Sequence, residues 1–294
     1  MITLDGLTKK FSNGKGLFNI DLYVKKGEVY GYLGPNGAGK STTIRHLMGY
    51  IKPTSGSATI NSLNCWRNAA EIQKIVGYLP GEIGFLEGLN GLEFLKLLSG
   101  MKNMKSTKVR DALIERFQFD VNTPIRKMSK GMKQKVGIVA AFMNDPEVLI
   151  LDEPTSGLDP LMQRVFIDLI LEEKSRGKTI LMSSHQFQEI ERTCDRVAII
   201  KDGCIIAQEN VHELQKKQKK VFEVTVADEK DIQELKNSGL SISNISGKQV
   251  LIEVAGDYNH FLRAIANVNV VALNTRNLEL EELFMHFYER KEVM

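Results

Sequence analysis

Eight residues, Gly34-Pro35-Asn36-Gly37-Ala38-Gly39-Lys40-Ser41, constrain this chain more than any other segment. They follow the pattern glycine, four free positions, glycine, lysine, then serine or threonine. The stretch before them, residues 27–34 (GEVYGYLG), reads as a strand, and residues 41–49 read as a helix. The octet is therefore the turn of a strand–turn–helix unit. Glycines there permit backbone angles that point successive N–H groups inward, forming an anion nest. The helix that follows presents its positive end to the same anion. Lys40 is placed to reach β- and γ-phosphates as a point charge, and the Ser41 hydroxyl to bind Mg²⁺. The unit predicts phosphate binding.

A second segment belongs to the same chemistry. Residues 148–151 (VLIL) form a short apolar run bounded by Asn144-Asp145-Pro146 and by Asp152-Glu153. Such a run reads as a strand buried on both faces of a parallel sheet. Its C-terminal end delivers two carboxylates where ligands bind in open α/β sheets. Asp152 is suited to the Mg²⁺ shell, and Glu153 to orienting or deprotonating a water.

The pattern around these segments is α/β. Residues 89–143 are mostly helical, with amphipathic spacing at 92–99 and 109–117. A helix is expected over 161–174, and strands over 179–183 and 197–200. Asp202-Gly203 is a hairpin signal. Strands alternating with helices imply a mainly parallel sheet. Past the basic stretch 215–220 (QKKQKK), strands at 221–226, 241–245, 249–254 and 268–273 alternate with helices at 231–237 and 258–266. That order, β-α-β-β-α-β, is ferredoxin-like. An amphipathic helix is expected over 280–290, with Leu280, Leu283, Phe284 and Phe287 on one face.

Composition narrows the partners. With 39 Lys plus Arg against 36 Asp plus Glu, the net charge of +3 is too slight to argue for nucleic acid. The basic stretch lacks interleaved aromatics and reads as a solvated linker or helix end. No apolar run approaches the roughly 18 residues of a bilayer span, and the N-terminus has no signal pattern. Cys65, Cys194 and Cys204 are odd in number and widely spaced, which predicts reduced thiols and a reducing compartment. His46, His212, His260 and His286 match no motif and are expected on the surface or on helix faces.

The ordered motifs resemble the ATP-binding subunits of ATP-binding cassette (ABC) transporters. The discriminating segment is Met128-Ser129-Lys130-Gly131-Met132, which resembles the family's Leu-Ser-Gly-Gly-Gln signature and lies 23 residues before Asp152. Ser129 is also a good N-cap for an apolar helix. Ser156-Gly157-Leu158-Asp159 resembles the family's D-loop, and His185 its switch histidine. The resemblance implies a P-loop cassette over residues 1–212, with a helical subdomain over about 84–143 and an accessory module over 213–294. It implies ATP and Mg²⁺, held by Gly34 through Ser41, with Thr42, Phe11 against adenine, Ser129, Gly131 and Asp159; the metal would lie on Ser41 and Asp152. Catalytic roles fall to Lys40, Glu153 and His185.

The same resemblance implies a second ATPase copy, as homodimer or heterodimer with a paralogue, because the signature acts on nucleotide held by the opposite subunit. It also implies an integral membrane permease, no nucleic acid, and a cytoplasmic chain peripheral to the membrane. Export of drugs, peptides or other small molecules is expected from the likeness of the tail and of residues 78–82. A soluble regulatory ATPase is the alternative, although such relatives usually carry two cassettes or long coiled coils. Two departures stand out. Gly81 occupies the place of the family's Mg²⁺-contacting glutamine, with Glu82 next to it, which leaves open a weakly hydrolysing module. Met128, Lys130 and Met132 replace Leu, Gly and Gln in the signature.

Overall fold

The computed structural model describes residues 1–217, 220–254 and 258–277. The chain divides into two compact units, Met1–Val211 and His212–Met294.

The first unit opens with β1 (Ile2–Lys10) and β2 (Gly16–Val24), an antiparallel pair. Then come β3 (Val29–Leu33), α1 (Lys40–Leu47), β4 (Ser55–Ile60), β5 (Leu63–Asn64), α2 (Ala69–Ile75) and β6 (Val76–Leu79). The helical part holds α3 (Gly91–Met101), α4 (Lys108–Phe117) and α5 (Lys130–Phe142), with a 3₁₀ turn at Ile125–Lys127. The unit continues with β7 (Val148–Asp152), α6 (Pro160–Ser175), β8 (Thr179–Ser184), α7 (Phe187–Thr193), β9 (Arg196–Lys201) and β10 (Cys204–Asn210).

Two sheets result. The larger has the order β10-β9-β3-β8-β7-β6, parallel except for the β10 edge. All residues of β3, β7 and β8 are buried, as two-face coverage requires. The β9–β10 hairpin turns at Asp202-Gly203, both at positive φ. The smaller sheet, β2-β1-β4-β5, is antiparallel. None of its strands is expected from the sequence, for a physical reason. Register shifts at Leu4/Leu7 and Leu7/Lys9 interrupt the two-residue period by which a strand is read. One apolar core joins both sheets and α1, drawing on Ile2, Leu17, Tyr32, Ile44, Ile150 and Leu181 among others.

Parallel register decides where the polar strand ends fall. Leu33 lies opposite Ser184, and Asp152 opposite Ser183. The residues that follow β3, β7 and β8 therefore emerge along one edge. The chain runs from β3 out to β6, returns through β7 and β8, and only then places β9 on the other side of β3. That reversal makes a crevice at the strand C-termini.

Helix α8 (Val211–Lys217) starts at the boundary, and from His212 onward it belongs to the second unit. That unit continues with β11 (Lys220–Val226), α9 (Glu229–Asn237), β12 (Ser241–Ser246), β13 (Gln249–Val254), α10 (Tyr258–Ala266) and β14 (Val270–Asn277). Its sheet, β12-β13-β11-β14, is antiparallel throughout, the ferredoxin-like arrangement. Val224, Val250, Ile252 and Leu235 build its core around Phe261, whose ring stacks on Phe222 at 4.3 Å. The helix expected over 280–290 lies outside the described residues.

Cys65 and Cys194 are buried, and burial pushes both thiols up to about 12; Cys204 is half-buried. His46 lies on a helix face, one of the two places expected for it, and that face is turned inward. It is buried on α1 with Nδ1 2.8 Å from the Thr42 carbonyl, and burial lowers its pKa.

Phe261→Ala removes the largest side chain in the core of the second unit. It should destabilise that unit by about 3–5 kcal/mol. Amide exchange in β11 and β13, compared with the parent protein, measures the loss.

Candidate active site

The glycine loop leaves β3 at Gly34, whose N–H donates to the Ser184 carbonyl at 3.2 Å. No side chain fits at Gly34, since a Cβ would lie 2.4 Å from the Ile200 carbonyl. At Gly39 the backbone takes φ +114, open only to glycine. Helix α1 begins there with no side-chain cap and no acidic residue in its first turn. The N–H groups of Gly37, Gly39, Lys40 and Ser41 meet no acceptor among the described residues. Such a cradle of free donors at a helix N-terminus fits phosphate.

Lys40 is buried, and its ammonium reaches three acceptors. The Gly34 carbonyl lies at 2.6 Å, the Pro35 carbonyl at 3.2 Å, and Glu153 Oε1 at 3.1 Å. The last contact is an ion pair without hydrogen-bond alignment. The other Glu153 oxygen, Oε2, lies 2.6 Å from His185 Nδ1. Three residues predicted from sequence, far apart in the chain, thus form one continuous run: Lys40, Glu153, His185.

Asp152 stands beside this run. Its Oδ1 accepts a hydrogen bond from Ser183 Oγ at 2.5 Å, and the same Ser183 oxygen accepts the Glu153 N–H at 3.0 Å. Glu153 needs that support. Its φ of +49 lies in the left-handed region, which costs a residue with a side chain about 1–3 kcal/mol. From the other side, Gln134 Nε2 on α5 donates to the Pro154 carbonyl at 2.7 Å. A single hydroxyl and a single amide therefore hold the Asp152–Pro154 turn.

The described side chains surround a cleft of about 740 Å³ that Asn36, Ser41, Asp152, Glu153 and His185 all line. Ser41 and Asp152, expected to hold Mg²⁺, share this cleft. Gly81 and Glu82 line it as well. A Cβ at Gly81 would lie 3.2 Å from Asp152 Oδ2, tight enough that a side chain would press on the carboxylate. Tyr78 at the same wall has its hydroxyl pKa raised by burial, and further by the Asp152 charge.

Other predicted residues sit as follows. Ser129 caps α5, accepting the Met132 N–H at 3.2 Å, and Asp159 caps α6, accepting the Met162 N–H at 2.9 Å. The two caps are neighbours: a Cβ at Gly131 would lie 2.7 Å from the Gly157 carbonyl. Both cap residues are exposed and neither lines the cleft, although Lys130 and Ser156 do. Phe11 is 40% exposed on the β1–β2 loop, with Lys9 Nζ 5.7 Å from its ring centre, and it does not line the cleft. Thr42 lies in the first turn of α1.

Ser183, Gln134 and Glu189 take part in this arrangement without having been singled out from sequence. Gln134 carried a signal, since it shares a helical stripe with the buried residues Ile138 and Ala141. A polar side chain in such a stripe is held by a partner. Ser183 ends a fully buried strand, where a hydroxyl likewise needs one.

Comparison with known proteins gives a consistent result. A family model described as ABC transporter matches residues 17–156. The bacitracin transport ATP-binding protein BcrA of Bacillus licheniformis is 37% identical over 235 residues, 78% of this chain and 76% of that protein. BcrA of Enterococcus faecalis is 30% identical over 298 residues, 97% of this chain and 95% of that one. Among solved structures, the dimeric post-hydrolysis state of the ATP-binding cassette MJ0796 bound to ADP and Pi matches with a TM-score of 0.66. It is 25% identical, over 72% of this chain and 99% of that one.

Ser183→Ala strips Asp152 of a donor and the Glu153 N–H of its acceptor. It should cost about 1–3 kcal/mol of stability, the penalty for orphaning a buried polar group. Urea denaturation of the variant against the parent measures it.

Proposed function

Because the chain belongs to the ABC transporter family and is an ATP-binding, ATP-hydrolysing subunit, we propose that it drives a separate membrane permease of drug- or antibiotic-exporting type. Asp152, Glu153 and His185 line one cleft and Lys40 pairs with Glu153 there, and this convergence carries the catalytic part of the reading. The names of the two bacitracin transport relatives support export. No helix among the described residues is long and apolar enough to cross a membrane. The path through the bilayer is therefore assigned to another chain, with this subunit on its cytoplasmic side.

The chemistry is positioning and electrostatics. The N–H groups of the 34–41 loop and the N-terminus of α1 bind the phosphates. Lys40 exchanges its carbonyl and carboxylate contacts for β- and γ-phosphate oxygens, where its charge offsets the negative charge that spreads in the transition state. Ser41 and Asp152 would hold Mg²⁺, which would supply further charge neutralisation. Glu153, released from Lys40, accepts the proton of the attacking water, and His185 holds Glu153 in place through the contact at 2.6 Å. Adenine is assigned to Phe11.

A second copy of the subunit completes the site in this reading. Ser129 and the N-terminus of α5 face the γ-phosphate bound by the opposite subunit, and the Asp159 loop lies at the same interface. The dimeric state in which MJ0796 was solved supports this arrangement.

Glu153→Gln should bind ATP, dimerise in its presence, and turn over about 100-fold more slowly or worse. Steady-state hydrolysis with light scattering on trapped nucleotide checks it, and undiminished turnover would remove Glu153 from the role. Ser129→Arg should abolish turnover while a single subunit still binds ATP, measured with a fluorescent nucleotide. Loss of that binding would show that the site is not shared between subunits.

A further inference from the structure

Glu189, on α7, is buried at 5% exposed, and no motif points to it. Its carboxyl oxygens are taken by hydroxyls from two different segments, the turn after β7 and the end of β8 that leads into the His185 loop. Thr155 Oγ1 donates to Oε1, and Ser184 Oγ lies 2.8 Å from Oε2. Thr155 is two residues past Glu153. Ser184 directly precedes His185, and its oxygen also accepts the Gln186 N–H at 2.9 Å. Glu189 therefore grips both segments next to the residues whose side chains meet at 2.6 Å. No cation pairs with it among the described residues.

Burial raises the Glu189 pKa, and the nearby Glu153 charge adds to the rise, while the two hydroxyls and His185 oppose it. A buried carboxyl group without a counter-ion is costly where an apolar side chain would fill the space. Its geometric product is specific. Ser183 joins the two strand ends at Asp152 and Glu153, and Glu189 joins them again one step further out. The segments bearing Glu153 and His185 are thereby fixed on both sides of their contact.

We propose that Glu189 is a positioning residue for ATP hydrolysis, its carboxyl group bridging Thr155 and Ser184 so that Glu153 and His185 keep their mutual geometry. The inference rests on the catalytic roles given to those two residues. Glutamine preserves the bridge in principle. Its carbonyl accepts from Thr155, and its amide donates to Ser184 Oγ, which turns its own proton to the Gln186 carbonyl 3.2 Å away. Alanine removes the bridge.

The experiment uses the purified full chain and compares kcat, KM and the directly measured affinity for a fluorescent ATP analogue. Glu189→Ala should lose about 10- to 100-fold in kcat, the scale of a misplaced catalytic group, with analogue affinity unchanged. Glu189→Gln should recover most of that loss. Thr155→Val should also lower kcat, and combining it with Glu189→Ala should add little, because both remove one bridge. Full kcat in Glu189→Ala overturns the proposal. So does affinity falling in step with kcat, or additive losses in the double variant. Should Glu189→Ala fail to fold, Thr155→Val decides alone, and full kcat in it refutes the bridge. Glu153→Gln run alongside separates the two levels. If that variant turns over normally, the reading of the site fails; if it is inactive while Glu189→Ala is not, only the bridge fails.

Discussion

The buried ammonium of Lys40 organises this molecule. A cation taken out of water is tolerated only when its donors are met by oxygen atoms. Here the Gly34 and Pro35 carbonyls accept from it within 3.2 Å, and Glu153 Oε1 supplies the counter-charge at 3.1 Å. Those contacts tie the loop after β3 to the turn after β7. Glu153 carries the tie onward to His185 after β8, so three strand ends share one charged run. An incoming group that draws Lys40 away must supply anionic oxygens in exchange. A polyphosphate does so, and the same exchange frees Glu153. In the proposed mechanism, binding and activation of the carboxylate are thus one event.

The apolar fold exists to make that run possible. β3, β7 and β8 are wholly buried, and their parallel register fixes the level at which each strand ends. A slip of one residue in β7 would turn Asp152 and Glu153 to opposite sides of the sheet. The left-handed backbone at Glu153 shows that the register is held firmly, because the turn keeps this strained conformation. Ser183 and Gln134 supply the hydrogen bonds that hold it there.

What the sequence made legible was local. The octet 34–41 and the apolar run ending in Asp152-Glu153 each carry their chemistry in contiguous residues, so spacing alone exposes them. The caps by Ser129 and Asp159 are local in the same sense. Ser183, Gln134 and Glu189 act through partners 20 to 34 residues away, Glu189 through the nearer Ser184 as well, and no short pattern encodes the distant contacts. The first antiparallel sheet escaped detection because its bulges break the alternation. His46 is legible as a helix-face residue, but not which way that face turns: next to Arg45 it looks polar, and the chain buries it.

Gly81 shows how a departure from a family pattern acquires a physical meaning. Asp152 Oδ1 is committed to Ser183, which leaves Oδ2 as the oxygen free for a cation. A side chain at position 81 would meet that oxygen at 3.2 Å. Glycine therefore keeps Oδ2 unobstructed instead of adding a ligand beside it. Mg²⁺ tolerates this well, since it is commonly held by one or two protein oxygens with phosphate and water completing its shell. Under the proposed function Ser41 and Asp152 would meet that requirement, so a glycine at 81 is compatible with a metal-dependent phosphate site. What glycine gives up is a side chain on this wall of the cleft, which Glu82 beside it also lines.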